Sequence, residues 1–595
     1  MRPADWPIPR ECKILAINKD HHSSVSLISS SHILYYNQEE RLSRVKEDCG
    51  MPVRCLEKVR EITDKVNTVI FTGYDTDDKS NKVYLEYLNK IGISWDYWAA
   101  YTRPHHLSHA FRSFCASGFK DAVVVVWDGK GSEYKFYDGN IGWETTSIYY
   151  MYDRNMVDLL YKKIYLKDIG RTKPYQLIRE YDEFVEGDWQ YRGPYDRWGD
   201  HTQIELTDEL DLGELYNSTA VNLGFGRDDC GKVMGLAPYG RSDIDLFDPS
   251  IRKTVDHPTI LGGSMESFNR KAKIAYDIQQ QVEQRGLDIL RMAIDRKFEL
   301  PNPHLNLVLT GGVSLNISAN AFYRKNIIPN VEMYIDPLCG DEGTCIGSAQ
   351  IYANGLITGL DASKGMKGNY IGGHLPTYDY FKTKWYDLFG KVGRGFKSSK
   401  VDVEKIVDLL IDGNIVALYQ GKSEAGPRAL GNRSLLFDPR IEDGRNIVNT
   451  IKKRELFRPL ACSIMKEHLS EWFKLEIEEF FEDDFVENLL IKESPDMMYA
   501  FDALPGVKEK VPSVVHIDNT SRIQTVTKEQ NDVYWELLNS FNKRVGVPLL
   551  LNTSFNLTGQ PMVESIEDAM DVLFNSKIEY LYLPDISQLI QVSND

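Results

Sequence analysis

Short apolar runs separated by polar turns predict strands over Cys12–Asn18, His32–Asn37, Thr68–Gly73, Ala122–Trp127, Tyr134–Tyr137 and Leu305–Leu309. From Ser267 to about Glu299 the period changes. Ile274, Ile278, Val282, Leu287, Leu290 and Ile294 recur at helical spacing and predict one long amphipathic helix. Residues 355 to 400 are rich in Gly, Lys and Tyr without strong periodicity, which places a domain boundary there. A second α/β region follows, with a helix over Glu404–Leu410 and a strand over Ile415–Tyr419. Residues 150–212 break the pattern. Val157–Ile164 reads as helical, and no hydrophobic strand pattern is visible. The segment reads as an insertion, either over the active face or at a subunit contact. Trp189, Tyr191, Tyr195 and Trp198 are suited to stacking on a flat or sugar-like ligand.

At 595 residues the chain is long enough for about two to four domains. With 42% hydrophobic and 26% charged residues, its composition is that of a soluble globular protein. A formal net charge of −17 argues against broad binding to nucleic acid or to an anionic membrane. No apolar run is long enough to span a bilayer, and the N-terminal residues lack the apolar core of a secretory signal. Eight cysteines are scattered with no Cys-x-x-Cys pair. A reduced, cytoplasmic protein is expected.

Two stretches carry candidate chemistry. In Arg103–Ala110 (RPHHLSHA), His105 and His109 stand four apart, so a helix would present both imidazoles on one face. Two ordinary buried or surface histidines would share that spacing. Asp128 ends a buried-strand pattern, and Asp341 sits in a Gly-flanked turn, which would complete a mixed nitrogen and oxygen set for iron, zinc or manganese. The second stretch lies in the C-terminal region. Lys422, Arg428 and Arg433 crowd a Gly-rich loop, and Lys452, Arg454, Arg458 and Arg522 follow. In an acidic chain, arginines gathered in such loops suggest a site for a multiply charged anion. Gly231–Gly240 reads as a Gly-punctuated loop, and Thr310–Asn320 as strand, Gly-Gly turn and helix start, a geometry suited to phosphate or nucleoside.

Eight motifs run in order along the chain: QEERLSRVK (Gln38–Lys46), RPHHLSHA (Arg103–Ala110), GKVMGLAPYG (Gly231–Gly240), GGVSLNISAN (Gly311–Asn320), GDEGTCIG (Gly340–Gly347), GPRALGNRSLLFDPR (Gly426–Arg440), KKRELFRP (Lys452–Pro459) and VPLLLNTSFN (Val547–Asn556). Together they resemble the O-carbamoyltransferase family that modifies nodulation factors, cephalosporins, ansamycins and aminoglycosides. The resemblance implies an α/β protein of two modules. Residues 1–365 would form an actin-like (ASKHA, duplicated RNase H-like), metal-dependent carbamoyl-transfer domain, with the insertion at about 150–212. Residues 366–595 would form a YrdC-like α/β domain that makes carbamoyl adenylate.

The implied reaction has two steps. Carbamoyl phosphate and ATP, with Mg2+, give carbamoyl adenylate and pyrophosphate; the carbamoyl group then passes to a hydroxyl of a small-molecule acceptor (a sugar, natural product or nucleotide). Carried over by motif, His105, His109, Asp128 and Asp341 become metal ligands, with Fe2+ the implied ion. His21 becomes a candidate general base. Lys46, Arg428, Arg458, Arg522 and Ser554 would handle carbamoyl phosphate and the adenylate, with Lys46 and Arg458 catalytic. Gly311, Gly312, Asn316, Gly231 and Asn552 would line the nucleotide. A homodimer is also an expectation. Three features depart from the family pattern: His21-His22 replaces a His-Asp pair, Lys422 stands where Arg is usual, and the 150–212 segment is longer. A tRNA-modifying threonylcarbamoyl enzyme and a non-catalytic nucleotide-binding regulator are the competing readings. The four-ligand set and the C-terminal cations weigh against the regulator. The absence of Cys-x-x-Cys pairs excludes a hydrogenase-maturation type.

Overall fold

The computed structural model describes residues 12–19, 21–29, 32–73, 78–100, 105–152, 156–170, 172–173, 183–186, 189–192, 202–244, 246, 264–298, 305–327, 331–356, 396–475 and 493–592. The chain divides into two compact units. One comprises Met1–Leu215, Arg285–Leu315 and Asn330–Ile371; the other comprises Tyr216–Gln284, Asn316–Pro329 and Gly372–Asp595. The expected boundary at 365/366 lies outside the described residues.

The first unit repeats one strand order. β1 (Ile14–Asn18), β2 (Ser24–Ile28), β3 (Ile33–Gln38), β4 (Lys65–Thr72) and β5 (Ser94–Ala100) form a sheet in the order β3-β2-β1-β4-β5. β1 to β3 are antiparallel neighbours, while β4 and β5 run parallel to β1. The chain continues through β6 (Asp121–Trp127), β7 (Glu133–Lys135), β8 (Ile141–Tyr152), β9 (Met156–Leu166), the hairpin β10 (Glu183–Glu186) and β11 (Trp189–Arg192), and then β12 (Gln203–Thr207), β13 (Leu305–Thr310) and β14 (Val331–Ile335). The second sheet runs β12-β9-β8-β6-β13-β14, with β7 paired to β8. β9-β8-β6-β13-β14 has the same directions as β3-β2-β1-β4-β5. This is a duplicated RNase H-like arrangement, the actin-like architecture.

Two expectations are corrected here. Val157–Ile164 is not helical but part of β9, and the 150–212 segment contributes β9 and β12 to the sheet. β9 lies between β8 and β12, and most of its residues are buried on both faces. Such a strand shows no alternation and is easily mistaken for a helix. Likewise Gly231–Gly240 is not a loop but the helix Cys230–Leu236 followed by a 3₁₀ turn, Ala237–Gly240. Packing there overrides the poor helix propensity of glycine. The side chains of Trp189, Tyr191, Tyr195 and Trp198 lie outside the described residues.

The second unit is built on a mixed nine-stranded sheet. Its strands are β15 (Phe396–Lys400), β16 (Val416–Tyr419), β17 (Arg433–Phe437), β18 (Ala461–Met465), β19 (Ala500–Asp502), β20 (Thr520–Val526), β21 (Leu549–Ser554), β22 (Tyr580–Leu583) and β23 (Gln588–Val592), in the order β15-β23-β22-β16-β17-β21-β18-β20-β19. Helices Val403–Ile411, Asp532–Val545 and Ile566–Phe574 bury Leu410, Phe541 and Leu573 in its core. No described helix is long and apolar enough to cross a membrane.

Candidate active site

In the first unit, the helix His105–Ser117 begins with the expected histidine pair. His105 Nε2 and His109 Nε2 are 3.1 Å apart. Asp128, at the end of β6, brings Oδ2 to 3.1 Å from His105 Nε2 and 3.7 Å from His109 Nε2. Asp341 Oδ1 arrives from the turn after β14, at 3.3 and 3.4 Å from the same nitrogens. One donor atom from each of the four residues lies within 4.8 Å of all the others. Ligand bonds of about 2.1 Å at near-tetrahedral or octahedral angles put neighbouring donors roughly 3.0–3.5 Å apart. The set fits one first-row divalent cation.

Burial disfavours the imidazolium form, but Asp341 and Asp128 outweigh it and raise His105 and His109 above their ordinary value. Burial also opposes ionisation of the two carboxyls, yet the histidines hold both below the usual range. Carboxylates that stay ionised are ready ligands, and a divalent cation would displace the imidazolium protons.

Each ligand is positioned from behind. Asp128 Oδ1 accepts from the Gly129 amide at 2.8 Å and the Gly312 amide at 3.4 Å, leaving Oδ2 for the histidines. A Cβ on Gly311 (φ +87°) would collide with the Trp127 carbonyl oxygen, so this approach of β13 to β6 requires glycine. Asn18 Nδ2 donates to the Asp341 carbonyl at 3.2 Å and to that of His21 at 3.0 Å. At the start of the histidine helix, the His105 amide donates to Ser132 Oγ and the His106 amide to Glu144 Oε1, both at 3.2 Å. Burial lowers His106 to about 3, so this ring stays neutral, hydrogen-bonded to Ser147 Oγ at 2.8 Å.

Glu144 is wholly buried and pairs at 2.5 Å with Lys162 of β9, also buried. Lys162, from the segment expected over the active face or at a subunit contact, is thus the counter-ion of the carboxylate that holds the histidine helix. Glu144→Gln leaves the Lys162 ammonium buried without its carboxylate and is expected to cost about 3–5 kcal/mol. Denaturant unfolding followed through the first unit checks this.

The second unit gathers its cations on the loop Lys452–Pro459 and on β20. Lys452 Nζ is buried and donates to the Ser554 carbonyl, to Ser554 Oγ at 3.3 Å and to Asn556 Oδ1 at 3.1 Å, all of them neutral groups. Burial, with Arg454, Arg458 and Arg522 adding to it, holds the Lys452 ammonium well below its ordinary value. Burial and then Arg428, Arg454 and Arg458 do the same to Arg522, and burial with Arg458 depresses Arg454 to about 9. A guanidinium does not release its proton in practice. The depression instead reflects burial and mutual repulsion among these cations. Arg454 Nε and Arg522 Nε are buried with no hydrogen-bond partner among the described residues.

The family model for the carbamoyltransferase N-terminus matches residues 81–350, and the model for the carbamoyltransferase C-terminus matches residues 407–588. The chain belongs to the carbamoyltransferase family. Nodulation protein NolNO of Sinorhizobium fredii is 26% identical across 94% of this carbamoyltransferase and 78% of its own length. An uncharacterized protein of Methanocaldococcus jannaschii is 26% identical across 96% and 98%, respectively. Nodulation protein U of S. fredii is 30% identical across 45% of this chain and 42% of its own. Among solved structures, T. kodakarensis HypF aligns with 60% of the chain at 14% identity and a TM-score of 0.28.

The remaining expected residues of this carbamoyltransferase are distributed as follows. His21 is exposed in the β1–β2 turn, and Lys46 is exposed and paired with Glu47. Gly311 and Gly312 stand beside Asp128 in the first unit. In the second unit, Asn316 caps the helix Ile317–Asn326 and hydrogen-bonds Gln279 at 2.9 Å. Gly231 opens onto free space. Asn552 is buried, donating to the Ala429 carbonyl at 3.0 Å, next to Arg428.

Motif matching assigned no role to Lys452, Arg454 or Glu424. Glu424 Oε1 accepts the amides of Leu430, Asn432 and Arg433 at 2.7, 2.9 and 3.2 Å and so closes the loop that carries Arg428. An acid among glycines and arginines was the signal available for it.

Proposed function

We propose that this carbamoyltransferase is ATP-dependent and acts through carbamoyl adenylate on a hydroxyl of a small molecule. The observation that carries the reading is the cluster of Lys452, Arg454, Arg458 and Arg522, in which Lys452 is buried against neutral groups and the three arginines are half-buried. Residues 366–595 are assigned the YrdC-like adenylating role and residues 1–365 the transfer role.

Mass balance sets the chemistry. Water releases inorganic phosphate from carbamoyl phosphate to leave carbamate. A carbamate oxygen then attacks the α-phosphorus of Mg2+-bound ATP, and pyrophosphate departs. Within the second unit, Arg428, Arg458, Arg522 and Ser554 are assigned to phosphate oxygens, and Arg458 offsets charge that grows on the transferring groups; within the first unit, Lys46 is assigned a separate catalytic contact with the carbamoyl donor. Nucleotide contacts are assigned to Gly311 and Gly312 within the first unit and, separately, to Gly231, Asn316 and Asn552 within the second. In the transfer step the acceptor oxygen attacks the carbamoyl carbon, the bond to the AMP phosphate oxygen breaks, and the hydroxyl proton goes to a base. His21 is assigned that role.

His105, His109, Asp128 and Asp341 would hold the metal, proposed as Fe2+. When bound, the cation supplies Lewis-acid polarisation of the carbamoyl oxygen or neutralises the adenylate phosphate. The chain's own residues fix that position: Asn18 and the Gly129 and Gly312 amides aim the carboxylates, and Glu144 and Ser132 hold the start of the helix.

Incubation with carbamoyl phosphate, ATP and a panel of sugar, nucleoside and other alcohols tests the reading. A mass gain of one carbamoyl group on an alcohol, together with release of AMP, is expected. Carbamoylation that proceeds without ATP, or modification of tRNA in place of every alcohol, would overturn it.

A further inference from the structure

The cation loop carries one acid. Glu455 Oε2 lies 3.6 Å from Arg458 Nη1, is buried, and has no hydrogen-bond partner among the described residues. Its other oxygen, Oε1, is 3.0 Å from Lys232 Nζ. Lys232 comes from the helix Cys230–Leu236 of the same unit, where it also pairs with Asp229 at 2.9 Å. That helix is seated against the loop at a second point. A Cβ on Gly235 would stand 3.0 Å from Pro459 Cδ, so helix and loop are in close contact there.

A carboxylate inside a cluster of half-buried arginines competes with any incoming anion. It is the same charge as the ligand, it is covalently attached, and it already lies close to Arg458. Its effect depends on where it is held. Lys232 draws Oε1 towards the helix, so the carboxylate cannot close on Arg458 with both oxygens in a forked pair. Burial acts against the Glu455 carboxylate, but its own backbone amide, Lys232 and Arg458 outweigh burial and keep the carboxyl below its usual range. The group is therefore a permanent anion that needs a permanent restraint.

We propose that Lys232 is a positioning residue for the anion site: it holds Glu455 off Arg458 and so keeps the pocket open to phosphate-bearing substrates. The proposal rests on the anion-pocket reading above. It also gives the GKVMGLAPYG motif a role distinct from nucleotide contact, since Lys232 and Gly235 both face the KKRELFRP loop.

The test uses the full chain and inorganic pyrophosphate as the probe, with affinity read by calorimetry. Arg522→Ala should weaken binding at least tenfold on the scale of a lost charge-assisted bond. Lys232→Met should weaken it roughly three- to tenfold, the scale of one partly solvated charge pair. Lys232→Arg should retain wild-type affinity. The deciding variant is Lys232→Met with Glu455→Gln. If Lys232 acts through the carboxylate, removing both charges restores binding to near the wild-type value. A merely structural role predicts a double variant no better than Lys232→Met alone, and that result overturns the proposal, as does wild-type affinity in Lys232→Met. If wild type and Arg522→Ala bind pyrophosphate alike, the pocket reading itself fails, and this inference fails with it.

Discussion

His105→Ala is expected to abolish both stoichiometric metal and carbamoyl transfer, while carbamoyl-phosphate-dependent ATP–pyrophosphate exchange persists. His105 is the hub of the four-residue set, with its Nε2 at 3.1 Å from Asp128, 3.1 Å from His109 and 3.3 Å from Asp341. Without it three donors remain, two of them carboxylates facing one imidazole. Loss of residues that only orient metal ligands typically costs 10–100-fold in affinity, so loss of a ligand should cost more. The fold should survive, because the start of the helix is held by Ser132 and Glu144 through backbone amides that alanine retains. Metal analysis of purified protein, with single-turnover transfer and exchange assays alongside, checks the prediction. Unchanged metal content would remove the assignment. Parallel loss of exchange would show that the two half-reactions do not separate as proposed.

Half of the four-residue set was legible because its physics is local. His105 and His109 share a helical face by spacing alone, and Asp128 ends a strand of unbroken valines, Val123–Val126. Asp341 was legible only as a carboxylate in a tight turn. Its meeting with Asp128 depends on β13 and β14 extending the sheet beside β6, a long-range pairing that no local pattern encodes. The second sheet hid itself for a related reason. β8 and β9 are buried along nearly their whole length yet carry Glu144, Thr145, Thr146, Ser147 and Lys162. A strand that buries an ion pair has neither the alternation of an exposed sheet nor the continuous apolar run of a parallel one. Read without its partner strands, Lys162 looks like a surface lysine, and only the fold puts it on Glu144.

The cation pocket was legible as composition but not as electrostatics. Counting cations in Gly-rich loops located Arg428, Arg458 and Arg522. It could not tell that Lys452 is buried or that Glu424, through three amides, shapes the loop carrying Arg428. Nor could it tell a surface salt-bridge network from a site awaiting a ligand. What separates the two is charge balance. Surface arginines find carboxylates, whereas among the described residues of this loop one acid, Glu455, faces Arg458 and is shared with Lys232.

That imbalance makes Arg458→Ala the second large effect. Arg458 is half-buried, its backbone carbonyl is fixed by Asn449 Nδ2 at 2.9 Å, and its charge depresses Lys452, Arg454 and Arg522 alike. Removing it takes away charge-assisted bonds to phosphate oxygens worth about 1.5–3 kcal/mol each. ATP–pyrophosphate exchange should therefore fall roughly ten- to a hundredfold per bond lost. The apo protein should not be destabilised to match, because the substitution relieves repulsion among buried cations. Pyrophosphate separates the two effects. At a hundred times its dissociation constant, an anion that binds only the folded state should stabilise the wild type by about 2.7 kcal/mol, and the variant by much less at the same concentration. The expected pattern is thus an apo melting temperature at or above wild type, a smaller upward shift with pyrophosphate, and slow exchange. Metal content should match wild type, since none of the four ligand residues changes. Wild-type exchange in Arg458→Ala would mean that the cations serve the fold and not the adenylate.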